Sequence, residues 1–219
     1  MWECGKCLPT CPGCVDPIDP FGDHFVACKK DFIYHRHNAL RDQLCTVLTS
    51  AGISHAKEVL IPPGGGRVNP FALERPADIL LIGWDRGRDV AVDLTVSHPL
   101  APHCHPLSLE KSKRFLPDAE GSKRSKEGSQ CQSAGWGFHP AAFSPWGGLG
   151  PGAKTLWFAI SKKLSPDLQG WPKKQAIKEQ VAGVSLALAR ALAKQLGLRC
   201  KVADHCSDSI LNLLPPPSC

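Results

Sequence analysis

Apolar and polar positions alternate along this chain in a way that predicts four strands and three helices, one of them broken or mobile. Residues 55–62, 77–84 and 88–97 are short runs rich in Val, Ile and Leu, and each reads as a strand. The link Trp84-Asp85-Arg86-Gly87-Arg88 reads as the hairpin turn between the last two. Ahead of them, Phe32 to Ala51 puts Leu40, Leu44, Val47 and Leu48 on one helical face, and Gly52 is a plausible stop. Beyond them, residues 99–135 are polar, with many Lys, Ser and Glu, and predict a broken or mobile helix. The Gly-, Pro- and aromatic-rich stretch from Ala134 to Pro151 holds a short strand at Gly137–Phe143. Lys173 to Leu196 is the clearest helix, because Ile177, Val181, Val184, Leu188, Leu192 and Leu196 form a stripe with Lys and Arg outside it. The tail after Lys201 reads as frayed, and there is no internal repeat.

The apolar runs contain acids where acids are costly. Glu58 lies within the first strand, Asp78 follows Arg75-Pro76-Ala77, and Asp93 stands between Val92 and Leu94. A carboxylate among aliphatic side chains must find a partner. Taken singly, Asp78 could pair with Arg75 and Asp93 could be a buried, hydrogen-bonded acid. Three such acids on consecutive strands point instead to a cluster that holds a hard cation such as Mg²⁺. Such a site commonly adds a lysine near the attacking water. The position two after Asp93 is Thr95, so Lys123 and Lys126 are the candidates, with Lys111 and Lys113 behind them. Surface lysines are more often simply solvated. Arg36-His37-Asn38 opens the first helix, and His37 reads equally well as a site residue or as an ordinary polar first turn.

The chain of 219 residues fits one domain of ordinary size plus an appendage, and its net charge of +6 permits a phosphate partner without demanding one. No apolar run reaches the roughly 18 residues of a membrane helix. Met1-Trp2-Glu3-Cys4-Gly5-Lys6 has no basic segment followed by an apolar one, so no signal peptide is expected. The 11 cysteines, crowded towards the N-terminus, then fit metal binding better than disulfides. Residues 1–30 are too rich in Cys, Pro and Gly to build a core and need a staple. Cys11, Cys14, His24 and Cys28 have the spacing C-x₂-C-x₉-H-x₃-C, four ligands suited to tetrahedral, structural Zn²⁺. Cys4 and Cys7 form a second pair, either half of another site or upstream linker, and linker is favoured.

These motifs, in this order, resemble a known family. Cys11-Pro-Gly-Cys14, Asp19-Pro-Phe-Gly-Asp-His24, Cys28, Arg36-His-Asn-Ala-Leu-Arg-Asp42, Glu58, Arg75-Pro-Ala-Asp78 and Val92-Asp-Leu-Thr-Val96 look like the C-terminal region of non-LTR retrotransposons of the restriction-like endonuclease type. The likeness continues through Lys123-x-x-Lys126, Cys131, Gly135-Trp-Gly-Phe138 and Trp146-Gly-Gly148. In that family a CCHC zinc knuckle precedes a PD-(D/E)XK-type nuclease associated with a reverse transcriptase. The chain departs from the family in having Glu127 where a Tyr often follows the second lysine, and in lacking a Glu near Ser144.

The resemblance implies an α/β fold: a restriction-endonuclease-like mixed sheet flanked by helices, with an N-terminal zinc knuckle. The implied division is a knuckle over 1–30, the nuclease over 31–200 and a flexible tail over 201–219. It implies a nuclear, Mg²⁺-dependent endonuclease that nicks a DNA target duplex, with RNA as a second candidate partner and no membrane. Asp78 and Asp93 take the roles of catalytic, Mg²⁺-holding acids, Glu58 is a third acid, and Lys123 or Lys126 the lysine. Arg36, His37, Arg67, Arg75, Arg86 and Arg88 are candidate phosphate contacts. The runner-up reading is a decayed or domesticated zinc-containing protein that binds nucleic acid without cutting it.

Overall fold

A computed structural model describes Thr10, Cys14, Asp16, Pro17, His24, Val26, Cys28 and residues 33–59, 77–99, 109–164 and 171–199. Cys4, Cys7, Cys11, Arg67, Arg75, strand residues 60–62 and the tail lie outside that set, as do the side chains of Lys111 and Lys113. The elements run α1 (Ile33–Ser50), β1 (His55–Lys57), β2 (Ile79–Asp85), β3 (Arg88–Val96), α2 (Leu109–Ser133), β4 (Gly137–Phe143), α3 (Pro151–Leu164) and α4 (Trp171–Arg199). The fold is mixed α/β, a four-stranded sheet in the order β1-β2-β3-β4 flanked by helices. The first three strands are antiparallel neighbours, and β4 joins β3 in parallel after the α2 crossover.

Local chemistry explains these elements. Arg86 and Gly87 both take positive φ, 54° and 86°, the requirement of a tight two-residue turn whose twist suits the flanking strands. Pro140 lies in β4, an edge strand, where its missing N–H leaves no ladder bond broken on the open side. β1 is shorter than the expected 55–62, and Glu58, with φ 50°, turns the chain out of extended conformation at its end. α2 is one continuous helix despite Pro117, where a broken one was expected.

Strand parity sorts the side chains onto two faces. Ile79, Leu81, Val90, Val92, Leu94, Ala141 and Phe143 pack in one cluster with Leu40, Leu44 and Leu48 of α1, Leu156, Trp157 and Ile160 of α3, and Val184 and Leu188 of α4. Each such aliphatic side chain, once fully buried, contributes roughly 1.5–3 kcal/mol over its exposed state. The opposite face is thin: Leu80, Ala91 and Cys131 form a small cluster with Phe138 against α2. That thin face leaves room for polar side chains between sheet and helix.

Candidate active site

The acids of β2 and β3 meet on the thin face. Ile79 pairs with Val92 and Leu80 with Ala91, so one further step of the same register sets Asp78 opposite Asp93. The Asp78 N–H donates to the Val92 carbonyl at 3.1 Å, and Asp78 Oδ2 accepts the Leu94 N–H at 2.6 Å. Two carboxylates side by side repel, and each needs compensation.

Asp78 is partnered from α1: His37 Nε2 donates to its Oδ1 at 2.8 Å. Asp93 is partnered from α2 across the sheet face. Lys123 Nζ lies 3.2 Å from Asp93 Oδ1 and 3.1 Å from Oδ2, and also donates to Glu127 Oε1 at 3.0 Å. The contact to Oδ2 lacks the angle of a hydrogen bond, so Oδ2 is buried without one, and so is Glu127 Oε2. Asp93 is only 4% exposed, and burial pushes its carboxyl up to about 7 despite the attraction of Lys123, with Asp78 and Glu127 adding to the rise. Burial opposes the Lys123 charge too, but the two carboxylates outweigh it and hold the ammonium above its ordinary value. Beyond Glu127 on the same helix face lies Cys131, whose thiol is pushed up to about 11 by burial first and by the two acids second.

The remaining expected residues sit elsewhere. Glu58 comes level with Asp78, donating its N–H to the Asp78 carbonyl at 2.9 Å, but its side chain is exposed and paired with Arg41 of α1. Lys126 faces solvent on α2, and Arg88 is exposed at the hairpin, paired with Asp85 at 2.7 Å. Arg36, expected at a phosphate, is instead buried, its Nη1 donating to the Val26 carbonyl. Glu127 and Glu120 carry weight that the sequence reading did not assign. Glu120 is buried and accepts the N–H groups of Ala142 at 3.0 Å, Gly152 at 2.9 Å and Ala153 at 3.3 Å, capping α3 and tying it to β4. The signal for both was the helical stripe Leu116, Glu120, Lys123, Glu127 and Cys131 within a polar segment.

A second constellation lies near the N-terminus. Cys14 Sγ is 3.1 Å from His24 Nε2 and 3.6 Å from Cys28 Sγ, and all three ligand atoms lie within 4.8 Å of one another. Two thiolates on one tetrahedral zinc sit about 3.7 Å apart, so the sulfur spacing suits such an ion. This cluster could bind a metal such as zinc, and among the described residues no other three His, Cys, Asp or Glu side chains come so close. Val26 stands between two of its ligands, so the Arg36 bond ties the cluster to α1. No helix among the described residues is long and apolar enough to cross a membrane. The sequence matches no model of a known protein family and no curated protein.

Proposed function

We propose that this chain is a Mg²⁺-dependent DNA endonuclease with a restriction-endonuclease-like core and an N-terminal CCHC zinc knuckle, acting on nuclear target DNA in the manner of a non-LTR retrotransposon nuclease. The observation that carries the reading is the acid pair Asp78, just before β2, and Asp93 of β3, with Lys123 reaching Asp93 from α2. Buried hard oxygens favour Mg²⁺, and the buried Asp93 Oδ2, which no protein donor satisfies with a hydrogen bond, fits a cation ligand. Asp78 and Asp93 would hold that ion, which supplies charge neutralisation at the scissile phosphate and lowers the pKa of bound water.

The side chains then divide the remaining work. His37 fixes the rotamer of Asp78 through Oδ1. Lys123 would exchange its contact with Asp93 for one with the attacking water or a phosphate oxygen and stabilise the negative charge that builds there. Arg86 and Arg88, exposed at the hairpin, are candidate contacts for the DNA backbone, which makes binding salt dependent.

One observation favours a second reading, a zinc-containing nucleic-acid binder without turnover. Both Asp78 oxygens have partners, and Lys123 is pinned between two carboxylates. Nicking of supercoiled plasmid with Mg²⁺ separates the two. Wild-type nicking that disappears in Asp78→Asn and Asp93→Asn supports the enzyme. A gel shift with DNA intact in every variant supports the binder.

A further inference from the structure

We propose that Glu127, on α2, is the third carboxylate of the Asp78–Asp93 site and ligates its divalent cation, directly or through a bound water; this rests on the metal-dependent reading above. The position that Glu58 was expected to fill is vacated, because Glu58 turns out of the strand and pairs with Arg41. Glu127 enters from the opposite element. One ammonium, Lys123 Nζ, touches both Asp93 and Glu127, at 3.1 and 3.0 Å, so the two carboxylates face a common point.

Charge and hydrogen bonding favour a missing cation there. Asp78, Asp93 and Glu127 bring three negative charges and Lys123 one positive charge, a formal −2 before the His37 imidazole is counted. A single divalent ion balances it. Asp93 is more than nine-tenths buried; its Oδ2, which Lys123 Nζ approaches at 3.1 Å outside hydrogen-bond geometry, and Glu127 Oε2 are both buried and accept no hydrogen bond. Protein interiors rarely leave two carboxylate oxygens in that state on side chains that share one ammonium. Asp78, Asp93 and Glu127 do not form a tight triad, and the Lys123 ammonium lies between the last two. A cation held by these carboxylates would compete with Lys123 for Asp93, leaving the lysine available to the water or the phosphate. Glu127 thus links metal binding to the release of Lys123.

The test is Mn²⁺ binding, followed by electron paramagnetic resonance or titration calorimetry, on the full chain with its N-terminal metal retained. Glu127→Gln keeps the Oε1 acceptor for Lys123 and removes the charge. Expected is a loss of Mn²⁺ affinity of about 10- to 100-fold, the scale seen when a supporting carboxylate of a metal site is lost. Glu58→Gln weakens Mn²⁺ less than Glu127→Gln does. Glu127→Asp, which keeps the charge with a shorter reach, falls between wild type and Glu127→Gln and guards against a folding artefact. Unchanged Mn²⁺ affinity in Glu127→Gln overturns the proposal, as does a larger loss in Glu58→Gln. Plasmid nicking by wild type with Glu127→Gln unaffected in both assays sinks Glu127 alone. Weakened Mn²⁺ binding in Glu127→Gln, with no nicking by wild type, keeps Glu127 as a ligand and sinks the nuclease. A wild-type chain that binds no Mn²⁺ overturns both.

Discussion

Asp93→Asn should make the free protein more stable at about pH 8 and leave it unchanged near pH 4. The Asp93 carboxyl rises from an ordinary 3.8 to about 7 on folding, chiefly through burial. A raised folded pKa means that the native state holds the proton more tightly than the unfolded chain does. Its contribution to stability is therefore fully present below about 3.8 and is lost as pH climbs through about 7. A shift of about three pK units corresponds to a ceiling of about 4 kcal/mol. The amide does not recover all of it. Asparagine in that position needs its own partners and gives up the Lys123 contact, while Glu127 still holds the lysine. About half the ceiling, ~2 kcal/mol, is the expectation at about pH 8, or a rise in Tm of about 4–8 °C for a chain of this size. The assay is thermal unfolding of both proteins from about pH 4 to pH 9 without added divalent ions. Added Mg²⁺ should then stabilise the wild type alone and close part of the gap. If Asp93→Asn lowers Tm equally at both ends of the range, Asp93 is a satisfied structural acid held by Lys123, and the argument for a strained, cation-seeking site collapses.

Three further outcomes follow from the packing and the second cluster. Glu120→Ala strands three backbone N–H groups, two at the start of α3 and one in β4, and should cost about 2–4 kcal/mol in urea unfolding, with Glu120→Gln costing less; equal losses would show that the charge rather than the acceptors matters. Leu188→Ala opens a cavity where α4 meets the core and should cost about 2–5 kcal/mol, and a change below about 1 kcal/mol would mean that α4 does not seal that face. Stripping metal with a chelator, or Cys28→Ser, should lower Tm and speed amide exchange in the first turns of α1, because Arg36 bonds the carbonyl between two ligands. Unchanged exchange there after metal loss would cut the link between that cluster and α1.

What was legible in the chain was what local physics controls. The hairpin at Arg86-Gly87 needs positive φ at two consecutive residues, and a Gly flanked by apolar runs announces it. The apolar stripe of α4 and the run of β3 reflect burial on one face and on both faces respectively, and burial writes itself into composition. Asp93 stood out for the same reason, as an acid in a run where every neighbour is buried. The whole of α3 was missed although Pro151 sits at its first position and Ala153, Leu156, Trp157 and Ile160 recur at helical spacing. The preceding Gly- and Pro-rich stretch masked it.

The residues whose surroundings the sequence did not show are those whose partners lie far along the chain. The Glu58 carboxylate pairs with Arg41, 17 residues earlier, and Arg36 is buried with its Nη1 donating to the Val26 carbonyl beside the Cys14–His24–Cys28 cluster. α2 read as a broken, polar segment because the positions it turns towards the sheet are Glu120, Lys123 and Glu127 rather than Leu or Val. A helix that spends its inward face on charge loses the apolar periodicity by which helices are recognised. A segment with a broken helical signal therefore coincides with the element that brings Lys123 and Glu127 to the acid pair, which is where local propensity and the demands of a polar cluster are expected to conflict.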